Sequence, residues 1–293
     1  MKKIVSTLSF VLVFIFVSCD KISRPIVVKD VVIGSKFITK DNKAVSNSKK
    51  VLFEDYTGQR CPNCPDGTSI IDSSLVPTYS SNIVVLAVHA GQLASPFGEF
   101  INQDFRTTAG TEWNSQSGFN ITSWPTGMVN RKKYGSNDIL LNKSAWTSVV
   151  PLAFNDPFVL KLDVVTKYDT TVRALNVYVK GTFNQTYTND VKIIALYTED
   201  GITGIQDKNS VTIDYEFEDM MRNTINGTWG TDLKIKPIAA QDTVNVSFLN
   251  FPLPLTINNG KGKSVNDKKV SVVVFAYDAV TREVLQAEKV KIR

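Results

Sequence analysis

The stretch Val51-Leu52-Phe53-Glu54-Asp55-Tyr56-Thr57-Gly58-Gln59-Arg60-Cys61-Pro62-Asn63-Cys64 decides how the first half of the chain is read. Residues 51–56 have the β-branched and aromatic character of a strand, and 57–60 those of a turn. From Cys61 the pattern is helical through Ser69-Ile70-Ile71 to Leu75. Residues 82–88 form a nearly continuous aliphatic run, as expected of a buried parallel strand. Together they predict a β-α-β unit with a Cys-x-x-Cys pair at the first strand-to-helix junction. Unpaired N–H groups and the positive end of the helix dipole at that junction favour a thiolate. Cys61 is then the expected nucleophile and Cys64 the resolving thiol. The neighbouring Arg60 would lower the Cys61 pKa further if its guanidinium lies close. Pro62 and Pro65 fall in the first helical turn, where a missing N–H costs least.

Three more features bear on this junction. Asp55 alternates onto the face of Val51 and Phe53. Six residues before Cys61, it resembles in position the buried acid that assists thiol exchange in thioredoxins; the alternative is a solvated strand residue. His89 ends the second strand, and reads either as an auxiliary in proton transfer near neutral pH or as a structural histidine. Trp124-Pro125-Thr126 opens a later strand. It resembles the cis-proline loop that thioredoxins place against their disulfide, where the backbone of Trp124 would pair with a bound peptide; the alternative is a trans proline at a strand start. The motif order, with a hairpin over 134–140 and a helix over 144–154, implies an α/β thioredoxin-like domain over residues 36–154. From Phe158 the pattern changes to alternation, in 158–164, 175–179, 191–197, 244–248 and 270–277, with a terminal hairpin to 292. That predicts an all-β antiparallel sandwich domain over 155–293.

The N-terminus carries Lys2 and Lys3 before an apolar run over 4–17 that is too short for a stable membrane span. It ends in Phe16-Val17-Ser18-Cys19, which resembles a bacterial lipobox. A lipoprotein signal peptide over 1–18, acylation of Cys19 and a tether over 19–35 are expected. Each buried acyl CH₂ adds about 0.8 kcal/mol, so several chains on one residue anchor firmly. The partner so implied is the membrane itself.

Composition removes several function classes. The chain has 33 basic and 28 acidic residues, and Lys2 and Lys3 supply two of the five excess charges, so no nucleic-acid footprint is present. Beyond Cys19 the cysteines are Cys61 and Cys64 alone, in an oxidising compartment, so a Cys61–Cys64 disulfide is expected at rest. Two thiols and a single histidine are too few ligands for structural zinc, and neither metal nor cofactor is expected. Triad hydrolysis would have to use His89 without a Gly-x-Ser-x-Gly elbow. The Asn259-Gly260-Lys261-Gly262-Lys263-Ser264 segment has Ile257 where a phosphate loop needs glycine, and reads as a basic hairpin loop. Residues 215–223 and 226–230 read either as a surface binding segment or as a crossing connection packed by Phe217 and Trp229.

The whole chain resembles the 28-kDa-type outer-membrane lipoprotein family of Gram-negative bacteria. The matching residues are Glu54-Asp55-Tyr56-Thr57-Gly58 with Cys61, Cys64 and Pro65, His89-Ala90-Gly91, Trp124-Pro125-Thr126, Arg222 with Asn226-Gly227-Thr228-Trp229-Gly230, and Val284-Leu285-Gln286-Ala287. The resemblance implies an outer-membrane location and suggests adhesin or receptor roles. Arg60 stands where thioredoxins usually carry tryptophan. Two functions stay open: thiol-disulfide exchange with envelope thiol proteins, or binding of an extracellular ligand by a protein in which the disulfide is a staple.

Overall fold

The structure is a computed structural model that describes residues 30–34, 42–45 and 47–293. The expected signal peptide, the proposed acylation site Cys19 and most of the expected tether lie outside the described residues. Among the described residues no helix is long and apolar enough to cross a membrane.

The expected pairing of an α/β thioredoxin-like domain with a separate β sandwich is corrected by the sheet topology. The chain is mostly β, 43% strand against 19% helix, and its largest sheet is built from both halves. From the first half come β3 (Val51–Thr57), β4 (Ile83–His89), β5 (Thr126–Val129) and β6 (Leu141–Asn142). From the second come β9 (Val191–Glu199), β12 (Met220–Thr224), β13 (Thr231–Lys234), β15 (Val270–Asp278) and β16 (Val284–Lys291). They join in the order β16-β15-β9-β12-β4-β3-β5-β6, with β13 beside β9. The junction is β12, which runs parallel to β4 at Met220↔Ala87 and antiparallel to β9. A five-stranded sheet faces the β9–β15–β16 end. It comprises β1 (Asp30–Ile33), β2 (Asn42–Val45), β7 (Leu160–Asp169), β8 (Ala174–Phe183) and β14 (Thr243–Pro252) in the order β1-β14-β8-β7-β2. A hairpin of β10 (Ile202–Lys208) and β11 (Val211–Phe217) stands apart from both.

The physical reason for the fusion lies in the two-residue period of β9 and β15. Ile193, Ala195, Val272, Val274 and Ala276 pack against the five-stranded sheet with Val177 and Phe248. The alternate residues Ile194, Leu196, Val273 and Phe275 pack with Leu52, Leu86, Val88 and Trp113. A strand that is apolar on both faces has to be covered on both. The two cores are therefore separated only by this pair of strands.

The third core lies on the far side of β3. There Val51, Phe53 and Val85 meet Ile71 and Leu75 of the helix after Cys64 and Trp146 and Val150 of α4 (Trp146–Ala153). That helix starts as α1 (Cys64–Ile70), widens into a π stretch over Ile71–Leu75 and finishes as α2 (Val76–Tyr79). The widening comes just before Pro77, which lacks the N–H a regular turn would use. α3 (Thr108–Asn114) crosses the opposite face and brings Trp113 into the second core. Of the 215–230 region, 215–217 belong to β11 and 220–224 form β12. Trp229 anchors the rest, donating to Glu112 at 2.6 Å beneath the Arg282 guanidinium.

Candidate functional site

β3 ends at Thr57, and the loop that follows turns sharply into α1. Gly58 permits that turn, since a Cβ there would lie 2.6 Å from the backbone of Leu93. Cys61 N–H donates to Gly58 O, and Cys64 N–H to Cys61 O. Cys61 and Cys64 form a disulfide with a Cα–Cα distance of 5.4 Å. Each cysteine is only 1% exposed.

The β10–β11 hairpin lies against this loop, as does the 93–94 segment, whose Leu93 O accepts from Arg60 N–H. Asp207 N–H donates to Gln59 O at 2.8 Å and Asn209 N–H to Pro62 O at 3.1 Å. The Gln206 side-chain amide donates to Cys61 O at 3.0 Å and Gly58 O at 3.3 Å. Gln103 bridges the hairpin to the rest, accepting from Ile205 N–H and donating to Ile205 O. The Gln59 amide in turn reaches the carbonyls of Ala94 and Gln103. Three buried glutamines, Gln59, Gln103 and Gln206, thus sew the hairpin onto the Cys-x-x-Cys loop. The sequence reading missed all three. Their one available signal was a polar, turn-prone Asp207-Lys208-Asn209-Ser210 between two β-rich runs.

Behind the disulfide is a small cavity of about 30 Å³, lined by Asp55, Cys64, Asp72, His89, Gln206 and Tyr215 among others. Asp55 is 2% exposed, and its Oδ1 has no hydrogen-bond partner among the described residues. Burial, with a contribution from the Asp72 charge, pushes its carboxyl up to about 7. His89 lies at the same strand ends, since Thr57 pairs with His89 in the β3–β4 ladder. Its ring meets the edges of Phe105 and Phe217 at 5.4 Å each. Both ring nitrogens lack partners among the described residues, and burial and then the Arg222 charge lower its pKa to about 3. His89 is therefore neutral at pH 7.

The remaining sequence-predicted residues sit around this cavity without lining it. The Trp124–Pro125 peptide is cis. Pro125 is buried against α1, its Cγ 3.2 Å from where a Gly67 Cβ would stand. The Trp124 indole lies over Gly91, which has φ +74°, and a Cβ there would be 2.1 Å from the ring. Arg60 is turned toward residues 92–97: it donates to Gln92 O and Ser95 Oγ, and lies over the Phe97 ring at 5.0 Å. Arg222 is buried against Glu199 at 3.0 Å. Among the described residues no group of three His, Cys, Asp or Glu side chains is placed to hold a metal ion.

The sequence model of the family described as outer membrane protein Omp28 matches residues 112–293. No curated protein matches the chain. HBP35 of Porphyromonas gingivalis is similar in fold, with a TM-score of 0.62 at 15% identity, over 85% of this chain and 77% of that one. A domain of the outer membrane lipoprotein Omp28 from the same organism is 24% identical over 46% of this chain and 88% of its own, with a TM-score of 0.30.

Proposed function

We propose that this chain, which belongs to the Omp28 family of outer-membrane lipoproteins of the cell envelope, performs thiol-disulfide exchange through Cys61 and Cys64. The observation that carries the reading is Asp55: a buried carboxyl, unpartnered at Oδ1 among the described residues, sharing a small cavity with Cys64. A disulfide that only staples a turn gains nothing from an ionisable group beside it, and burying one is costly. In exchange, Asp55 holds a proton near neutral pH and passes it to or from the Cys64 sulfur as that sulfur leaves or attacks. His89 stays neutral and keeps the cavity free of a competing positive charge. Pro125 and Trp124 shape the wall of α1 beside the disulfide, and Arg60 orders the 92–97 loop. Cys19 carries the lipid that ties this body to the membrane.

A second reading, a surface binding protein with a structural Cys61–Cys64 bond, is favoured by the 1% exposure of both cysteines. The two part company in a trapping experiment. Replacing Cys64 by serine in the full chain leaves Cys61 unable to resolve, so exchange predicts covalent mixed disulfides with envelope thiol proteins on non-reducing gels. Absence of any adduct, with Cys61 titrating as a free thiol, sinks exchange and leaves the binding reading. Cys19→Ala is expected to release the protein from the membrane fraction or leave it unprocessed; unaltered membrane retention would remove the lipid role.

A further inference from the structure

We infer that the β10–β11 hairpin is an intramolecular plug, occupying the surface on which an extended segment of a partner thiol protein docks, and that exchange at Cys61–Cys64 requires its displacement. This rests on the exchange reading and adds the mode of partner recognition to it.

The hairpin turns through Asn209 and Ser210, both with positive φ (52° and 65°), a two-residue turn of the primed kind that suits strand twist. In such a hairpin Lys208 and Val211 face each other as a hydrogen-bonded pair, and alternation leaves Thr203, Ile205 and Asp207 projecting N–H and C=O from the free edge of β10. That edge is the one laid on the Cys-x-x-Cys loop. Ile205 is satisfied by Gln103, Asp207 N–H by Gln59 O, and just past the strand Asn209 N–H by Pro62 O. Gln206 adds its amide on Gly58 O and Cys61 O. Asp207 N–H on the strand edge and Asn209 N–H just past it thus answer the carbonyls of Gln59 and Pro62, and the Gln206 side chain answers that of Cys61, the contacts an extended partner segment would make, here supplied in cis. The carbonyls select an extended backbone with N–H groups at alternate positions. A side-chain amide or hydroxyl between them would replace Gln206.

The plug is removable because of how it is attached. It belongs to neither large sheet, and two-stranded ribbons are marginal alone. Its root is held by a small apolar cluster of Phe105, Ile202, Phe217 and Met220, while its tip is held by the hydrogen bonds just described. Opening at the tip with the root as hinge breaks those bonds and leaves both large cores intact. A partner dithiol can then reach Cys61. Its thiolate attacks the Cys61 sulfur, forming a mixed disulfide and releasing the Cys64 thiolate, which takes a proton. The partner's second thiolate then attacks its own sulfur in that bond, leaving the partner as a disulfide and Cys61 as a thiolate. Two electrons pass from the partner to Cys61–Cys64.

The test uses the oxidised full chain and dithiothreitol as the dithiol. If the plug gates access, the reduction rate of the wild-type chain rises with dithiothreitol and then saturates at the opening rate of the hairpin, read independently from hydrogen exchange at the Asp207 and Asn209 amides. Gln206→Ala, which removes the amide contacts on Gly58 and Cys61, is expected to raise the rate below saturation about tenfold. Reduction that stays linear in dithiothreitol far beyond the opening rate of those amides overturns the plug, whether or not the variant folds. So does an unchanged rate in a folded Gln206→Ala chain whose Asp207 amide exchanges faster. Either outcome leaves exchange itself standing, because exchange is judged by trapped adducts and by reduction potential rather than by the gate.

Discussion

Glu54 and Asp55 are neighbours on β3 and both are buried, yet the two faces of that strand treat a carboxylate in opposite ways. Glu54 points into the core shared with the second half and accepts both arms of Arg131, Nε and Nη2, at 2.7 Å each. The guanidinium is also enclosed by the rings of Trp113, Phe119 and Phe275, each within 4.9 Å. Asp55 points toward α1 and the disulfide, and its Oδ1 finds no partner among the described residues. A charge buried with a bidentate partner keeps its charge, whereas a carboxyl buried without one holds its proton to higher pH, as Asp55 does. In the exchange reading, that difference separates what braces the protein from what carries its chemistry.

The comparison breaks most sharply at Arg131. Arg131→Ala leaves Glu54 buried and uncompensated, and is expected to lower stability by about 3–5 kcal/mol. Urea unfolding measures it, and a loss below about 1 kcal/mol would mean that the pair is not what holds this face.

Asp55→Asn is expected to act in the other direction and to depend on pH. The native carboxyl binds its proton up to about 7 against 3.8 for the ordinary group. The native state thus holds more protons than the unfolded one between those values, and wild-type stability falls as pH rises from about 4 to about 7 and levels off above. The asparagine variant loses that slope. It should match the wild type near pH 4 and exceed it at pH 8 by up to about 4 kcal/mol. Denaturation curves that run parallel for the two proteins across this range would remove Asp55 as a poised acid.

Some of the local geometry around Cys61 and Cys64, and less of the architecture, was legible in the sequence. The spacing of Cys61 and Cys64 after a strand located the junction, and alternation placed Asp55 with Val51 and Phe53, the face on which it lies. The thioredoxin-like reading failed because strand pairing between distant segments leaves no local trace. The full burial of Val270–Asp278 on both faces is the mark of a strand between two cores, but as a sequence it reads equally well as one layer of a sandwich. Five residues of β12, within a stretch read as a connection or a binding segment, are what weld β9 to β4. Arg131 lies 77 residues from Glu54, and Gln206 lies 145 from Cys61, so neither contact has a periodicity to betray it.

A smaller effect sharpens the same contrast. Replacing both Cys61 and Cys64 by serine opens a loop so short that chain entropy alone gives about 2 kcal/mol. A loss near that value, smaller than at Arg131, would place the disulfide among the protein's chemical groups rather than its main braces. A loss above the Arg131 value would reverse that ranking.

The most direct test of the central claim is the reduction potential of Cys61–Cys64, measured on the full chain against a glutathione or dithiothreitol couple at equilibrium, where the hairpin cannot limit the answer. Exchange predicts a potential above about −300 mV, in the range of disulfides that turn over in the envelope. A value well below that would mark Cys61–Cys64 as a structural bond and contradict the account.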